Sequence, residues 1–280
     1  MSSIKVFAFA DEASKNFDEQ IIAMNRNNLS GIEIRNVDDE NISDISIEKA
    51  KEIKLKLDDN NLSTWSIGSP IGKIDIEKDD FAKHLDKLKH TLEIANVLDT
   101  KNIRIFSFYI PDGKNADIYK NEVIDRLSEM CEIAKDYNIK LCHENEKGIY
   151  GDVPERCIEL FNAIPDLKGI FDPANFVQCN VDTLKAYEML KNHIHYMHIK
   201  DAEYGGNIVL AGKGDGNIPE IAKRYINNGG FAFTLEPHLF EFSGLKNLER
   251  ENEKSAIAIN QYSDANTAFD DACNAFKSLL

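Results

Sequence analysis

Eight short runs of apolar and β-branched residues, each followed by a longer helical segment, constrain the fold of this chain most. The runs are residues 4–10, 31–37, 62–67, 102–108, 139–144, 167–172, 194–200 and 231–236. Between them, apolar residues recur at the spacing of one helix face. Two such faces are Phe81, Leu85, Leu88, Leu92 and Ala95, and, near the C-terminus, Ala265, Phe269, Ala272, Phe276 and Leu279. The pattern predicts a strand followed by one amphipathic helix, repeated eight times.

Eight such units indicate an α/β protein with a single (β/α)₈ TIM barrel. Several strands are apolar almost to their last residues, which is typical of parallel strands buried on both faces. No linker rich in proline or serine divides the chain, so we expect residues 1–280 to form one domain. An open, doubly wound sheet is the alternative fold.

The net charge and the cysteines restrict the expected binding partners and the expected cellular compartment. The formal net charge of −15 argues against binding to nucleic acid or to an anionic membrane. No apolar stretch is long enough for a signal sequence or a membrane span, so we predict a cytoplasmic protein. The five cysteines form no C-x-x-C pair, and we expect them to be buried free thiols rather than zinc ligands.

Polar residues collect at the carboxyl ends of five predicted strands. They are Glu33 and Arg35; Glu144 and Glu146; Asp172 and Asn175; His198, Lys200 and Asp201; and Glu236 and His238. In a TIM barrel these ends meet at the rim that carries the active site. Because side chains alternate along a strand, Glu144 and Glu146 should point together, while His143 and Asn145 turn toward the helices.

Four of these residues suggest a metal site. Three carboxylates and one imidazole come from four successive strand ends, namely those of Glu144, Asp172, His198 and Glu236. Buried carboxylates need compensation, and this oxygen-rich set favours one divalent ion, Mn²⁺ or Mg²⁺, with Co²⁺ and Zn²⁺ as alternatives. Taken singly, each acid could instead be a solvated or capping residue, and His198 could be a core histidine.

Several short motifs together resemble the xylose isomerase-like barrels, which include sugar isomerases, ketose 3-epimerases and the endonuclease IV group. The motifs are HENEKGIYGD (143–152), FDPANFVQ (171–178), HIKDA (198–202), AGKGDG (211–216) and LEPHL (235–239). The resemblance places Glu144, rather than Glu146, in the ligand position. It also matches Asp172, His198 and Glu236 to the other ligands. Many members have histidine where this chain has Asn175, so a cluster of several metal ions is not expected.

The resemblance implies a divalent-metal-dependent sugar isomerase or epimerase. In such enzymes the ion holds two neighbouring oxygens of the sugar, and two glutamates move a proton through a metal-stabilised enediolate. Glu144 and Glu236 are the predicted acid/base pair. The predicted substrate-facing residues are Arg35, Glu146, Asn175, Lys200 and His238. The partner is then a small sugar or sugar derivative, and a homodimer or tetramer is expected.

Other functions stay open at this stage. A metal-dependent hydrolase or lyase acting on a sugar or inositol derivative is the enzymatic alternative, and a noncatalytic sugar-binding barrel is the other. An abasic-site endonuclease is disfavoured, because it would need more histidine ligands and a basic face. Lys200 could simply neutralise the acidic rim, and Arg35 could pair with Glu33 or with an acid of a neighbouring strand.

Two further features could contribute to substrate binding. Trp65, the only tryptophan, could form a wall against the sugar or could pack in the core. The glycine-rich segment 211–216 could bind a phosphate group of the substrate, since barrel phosphate sites use loops after strands seven and eight.

Overall fold

A closed barrel of eight parallel strands forms the centre of the molecule. The computed structural model describes residues 3–242 and 262–280. The strands are β1 (Lys5–Ala8), β2 (Gly31–Ile34), β3 (Ser63–Ile67), β4 (Asn102–Ile105), β5 (Lys140–Glu144), β6 (Lys168–Phe171), β7 (Ile194–Ile199) and β8 (Ala232–Leu235). Each strand pairs with its neighbour in sequence, and β8 pairs with β1 from Lys5 opposite Ala232 to Ala8 opposite Leu235. The closure confirms the predicted TIM barrel and excludes the open sheet.

Helices surround the barrel. They are α1 (Phe17–Arg26), α2 (Ile47–Asp59), α3 (Phe81–Val97), α4 (Lys120–Asp136), α5 (Pro154–Ala163), α6 (Pro173–Gln178), α7 (Thr183–Leu190), α8 (Ile218–Asn227) and α9 (Ala265–Lys277). None of these helices combines the length and the apolar character that a membrane span requires. The extent of the domain over residues 1–280 stays a prediction, because residues 243–261 lie outside the described part.

Strand β6 departs from the predicted pattern of one helix per strand, because two short helices follow it. The Asp172 carboxylate caps α6 by accepting the backbone N–H of Asn175, and Pro173 occupies the first turn. The helix stops after one and a half turns, where Asn180 adopts a left-handed conformation (φ 56°). Asp182 then caps α7. The predicted ligand Asp172 is thus also the residue that starts α6.

The C-terminal helix packs on the barrel much as its apolar pattern predicts. Phe269, Ala272 and Phe276 are buried, and the Phe276 ring lies 5.1 Å from that of Phe233 in β8. Ala265 and Leu279, at the two ends of the predicted face, are only partly buried.

The amino-terminal half of the barrel interior is apolar. Trp65 stacks on Phe7 at a ring distance of 5.1 Å and meets Tyr196 and Phe231 edge-on. Trp65 is partly buried and packs against the core, as one of the two interpretations has it, rather than lining the rim. Of the five free cysteines, Cys131, Cys142, Cys157 and Cys273 are buried, while Cys179 is partly exposed.

Candidate metal centre and active site

The four predicted metal ligands converge at the carboxyl rim of the barrel. Glu144 ends β5, Asp172 follows β6, His198 lies in β7 and Glu236 follows β8. One ligand atom of each lies within 4.8 Å of those of the others, and each residue is at most 2 % exposed. They meet because the barrel brings the ends of its parallel strands together. The result is a buried group of three carboxylates and one imidazole.

This group has the properties of a cation site. Glu144 Oε2 and Asp172 Oδ2 are buried and accept no hydrogen bond of good geometry. Two cationic side chains lie close to these oxygens: Arg104 Nη1 lies 3.2 Å from Glu144 Oε2, and Lys200 Nζ lies 3.0 Å from Asp172 Oδ2. Burial raises the pKa of Asp172 to about 7, against the opposing charge of Lys200. A divalent ion would satisfy both unpaired oxygens and remove this cost.

His198 is held from both sides. Its Nδ1 lies 2.9 Å from Glu144 Oε1 and 3.3 Å from Glu236 Oε2, so this nitrogen faces the ligand group. Its Nε2 lies 3.1 Å from Glu33 Oε2, and Glu33 also accepts the Tyr196 hydroxyl at 2.7 Å. Burial lowers the pKa of His198, but the charges of Glu144 and Glu33 outweigh burial and raise it well above 6.5.

The two glutamates of the motif at residues 143–152, Glu144 and Glu146, occupy different positions. Glu144 lies in the ligand group, whereas Glu146 lies outside it and pairs with Lys73 at 2.7 Å. His143 turns toward the helices as predicted, with its ring against Phe161 of α5. The side chain of Asn145 contacts the neighbouring strand end instead of the helices. Its amide exchanges two 2.9 Å hydrogen bonds with the backbone of Asp172. Asn145 therefore ties the end of β5 to that of β6.

Arg104, on β4, is a residue of the site that sequence reasoning missed. It is 2 % exposed, and its guanidinium lies 3.2 Å from Glu144 and 3.6 Å from Glu236. Its Nη2 also donates to the Gly68 carbonyl at 3.2 Å. The only signal in the sequence was a charged residue within the apolar run 102–108. Arg104 thus bridges the two glutamates that were predicted to move the proton.

The side chain of Arg35, which is predicted to face the substrate, is buried among three acids. Arg35 is 1 % exposed and donates to both carboxylate oxygens of Asp11, at 2.9 and 3.0 Å. It also donates to Glu12 at 3.1 Å and to Glu236 Oε1 at 3.0 Å. Pairing with acids of neighbouring strands was the alternative interpretation, and it is the one that the structure shows. The guanidinium of Arg35 thus lies between Glu236 and the two acids of the turn after β1. Sequence reasoning did not pair those two acids with Arg35.

The other four predicted substrate-facing residues line one cavity beside the ligand group. Its walls include Glu146, Asn175, Lys200 and His238, together with Lys73, Arg104, Gln178, Ile208 and the ligands Glu144 and Glu236. Asn175 also donates to Glu144 Oε1 at 3.3 Å. Lys200 neutralises the acidic rim, as its alternative interpretation proposed, since it contacts both Asp172 and Glu236. It does so while remaining on the cavity wall.

His238 is held in an unusual backbone conformation. Its φ of 48° lies in the left-handed region, and its backbone N–H donates to Glu12 Oε2 at 2.6 Å. The ring Nε2 lies 3.4 Å from Glu236 Oε1 and makes no hydrogen bond of good geometry. Burial lowers the pKa of His238 to about 4. The cavity wall therefore carries a neutral imidazole at this point.

The glycine-rich segment 211–216 does not offer a phosphate site. The backbone N–H groups of Gly212, Gly214 and Gly216 all donate to the Asp201 carboxylate, at 2.8, 3.1 and 2.9 Å. A side chain at Gly214 or Gly216 would put a Cβ about 2.5 or 2.6 Å from Asp201 Oδ1. An anion of the protein itself thus fills the position that a phosphate would take.

Comparison with known proteins agrees with the barrel fold. The family model for xylose isomerase-like TIM barrels matches residues 23–261. The chain belongs to this family. No curated protein sequence matches it.

Solved structures share the fold at low sequence identity. A D-allulose 3-epimerase from Methylomonas sp., in complex with D-allulose, has a TM-score of 0.76 and 14 % identity over 99 % of this chain and 98 % of its own. The probable 3-DHS dehydratase AsbF from Bacillus anthracis has a TM-score of 0.73 and 17 % identity over 98 % of both chains. The IOLI protein with a bound zinc atom has a TM-score of 0.73 and 16 % identity over 99 % of this chain and 97 % of its own. At these identities the likeness shows the fold alone.

Proposed function

We propose that this protein is a divalent-metal-dependent isomerase or epimerase that moves a proton on a small sugar or sugar derivative. The observation that carries the proposal is the position of Glu144 and Glu236. They come from β5 and β8, line the same cavity, and belong to one buried group of candidate ligands. The allulose and zinc complexes among the structural neighbours agree with this class of reaction and cofactor.

Four residues would hold the ion, namely Glu144, Asp172, His198 and Glu236. The predominance of oxygen ligands favours Mn²⁺ or Mg²⁺. When bound, the ion would stabilise negative charge that develops on the substrate oxygens. His198 would face it through Nδ1, while Glu33 accepts the hydrogen of Nε2 and fixes the orientation of the ring.

Glu144 and Glu236 would act as the acid/base pair. Although burial raises the pKa of Glu144, His198 and Arg104 lower it to about 2. The pKa of Glu236 also lies well below its usual value, because Lys200 and His198 outweigh the effect of burial. Both carboxylates are therefore ionised and able to accept a proton from a carbon beside a carbonyl group. One would remove the proton and the other would return one from its own side of the cavity.

A lyase is the second candidate. Loss of water from a hydroxylated substrate begins with the same proton removal, and the Lys200 ammonium lies on the cavity wall 3.4 Å from Glu236. It could protonate a departing hydroxyl group. A noncatalytic sugar-binding barrel is less well supported, because binding alone does not require two buried glutamates of the ligand group to line the same cavity.

Proton exchange with solvent tests the proposal. The metal-loaded protein is incubated in D₂O with a panel of ketoses, aldoses and their acids, and deuterium in the recovered sugar is measured by mass spectrometry. Glu236→Gln should abolish the exchange while the circular dichroism spectrum stays native. Glu52→Gln, a matched change at an exposed position of α2, should exchange like wild type. Undiminished exchange in Glu236→Gln would remove Glu236 from the mechanism.

A further inference from the structure

The cavity beside the ligand group has an unusual wall for a neutral sugar. Three cationic side chains reach it from different parts of the rim: Lys73 from the loop after β3, Arg104 from β4 and Lys200 from the end of β7. Their side chains are 6, 2 and 6 % exposed. Burying a charged group is costly, so three buried cations around one small cavity call for an anionic counterpart.

Carboxylates of the site compensate these cations only in part once an ion is bound. Lys73 pairs with Glu146, Arg104 with Glu144, and Lys200 with Asp172 and Glu236. A divalent ion would engage Glu144, Asp172 and Glu236 as ligands. Arg104 and Lys200 are the cations whose partners the ion would take.

The wall also lacks the surface on which a neutral sugar would stack. Among the described residues that line the cavity there is no tryptophan, tyrosine or phenylalanine. The Phe106 ring is covered by the Lys73 ammonium at 4.4 Å and by the Arg104 guanidinium at 5.1 Å from its ring centre. Trp65 packs against the apolar core. Polar and charged contacts must therefore provide most of the binding.

We infer that the substrate of the proposed reaction carries a carboxylate group, which Arg104 and Lys200 bind beside the metal ligands. This inference rests on the proposed function, whose substrate class it narrows to sugar acids or polyhydroxy acids. A carboxylate suits the planar guanidinium of Arg104 and the single ammonium of Lys200. A phosphate is less well matched, because the backbone N–H groups of the glycine-rich segment 211–216, which could hold one, already donate to Asp201.

Binding of matched ligands tests the inference. D-glucuronate, D-glucose and D-glucose 6-phosphate are titrated into the Mn²⁺-loaded protein by calorimetry, and D-fructuronate, D-fructose and D-fructose 6-phosphate form a second set. We expect each hexuronate to bind about tenfold or more tightly than its neutral hexose and more tightly than its phosphate ester, because charge-assisted hydrogen bonds hold the carboxylate. Lys200→Met should remove this preference. Lys185→Met, which removes a lysine that is 84 % exposed on α7, should keep it.

The wild-type comparison does not depend on the folding of any variant. Equal binding of hexuronate and hexose, no binding of either, or tighter binding of the phosphate ester would overturn the inference. So would a Lys200→Met protein that keeps the full preference, because the carboxylate would then be bound without Lys200. Proton exchange on neutral ketoses without a preference for acids would contradict only this inference. A preference for acids without any exchange would contradict only the proposed reaction.

Discussion

The two ends of the barrel interior are built from different chemistry. At the amino-terminal end, Trp65 stacks on Phe7 and packs against Tyr196. At the carboxyl end, Arg35 and Arg104 contact the carboxylates of the candidate site. Tyr196 joins the two, since its ring lies in the apolar layer and its hydroxyl donates to Glu33 below His198. We infer that apolar packing at the amino-terminal end stabilises the barrel and thereby holds the charged side chains of the carboxyl end in position.

The largest effect should come from the apolar end. Trp65→Ala removes the stacking on Phe7 and His195; because Trp65 is only partly buried, we expect the free energy of unfolding to fall by about 2–3 kcal/mol, less than for a fully buried tryptophan. Urea denaturation of the apo protein measures this loss. Leu55→Ala, at a position 64 % exposed, should change it by less than about 0.5 kcal/mol. A small loss in Trp65→Ala would mean that this layer does not carry the stability.

A change at the junction should affect ion binding more than folding. Glu33→Gln keeps the size of the side chain but removes the charge that orients His198, and we expect Mn²⁺ to bind about 10–100-fold more weakly. Calorimetric titration of Mn²⁺ measures the change, with Glu52→Gln as the exposed control. An unchanged dissociation constant would show that Glu33 has no part in holding the histidine ligand.

The effect that is smallest at neutral pH concerns a histidine outside the site. Burial lowers the pKa of His84 to about 4, and its Nε2 accepts the Gly72 N–H at 2.6 Å. Between pH 6.5 and about 4 the unfolded chain binds a proton here that the folded chain does not, so stability is lost as the pH falls through this window. One such group contributes a slope of at most about 1.4 kcal/mol per pH unit.

The variant His84→Gln tests this pH dependence. Urea denaturation at several pH values, in the presence of EDTA, should give a shallower decrease in the free energy of unfolding for the variant than for wild type. The same slope in both proteins would show that His84 does not contribute to acid sensitivity.

The sequence predicted the parts of this structure that depend on local order. Apolar runs and helical spacing located every barrel strand, and the strand ends located Glu144, Asp172, His198 and Glu236. Such features are readable because a barrel always places strand ends on one rim.

Contacts between distant segments were not readable in the same way. Arg104 looks like part of an apolar run, and Lys73 reaches Glu146 from a loop 73 residues earlier. The pairing of Arg35 with Asp11 and Glu12 could not be read from spacing, because these acids follow a different strand. The loop 211–216 was ambiguous because the glycines alone do not show that Asp201 occupies their N–H groups. Long-range pairing of charges was thus the information that spacing along the chain lacked.

The most direct test of the account is the binding of a divalent ion. The protein is stripped with EDTA, titrated with Mn²⁺ by calorimetry, and its melting temperature is compared with and without the ion. We predict one ion per chain and a higher melting temperature when it is bound, both lost in Asp172→Asn. Purified protein that binds no divalent ion and gains no thermal stability from Mn²⁺ would contradict the metal centre and the function proposed from it.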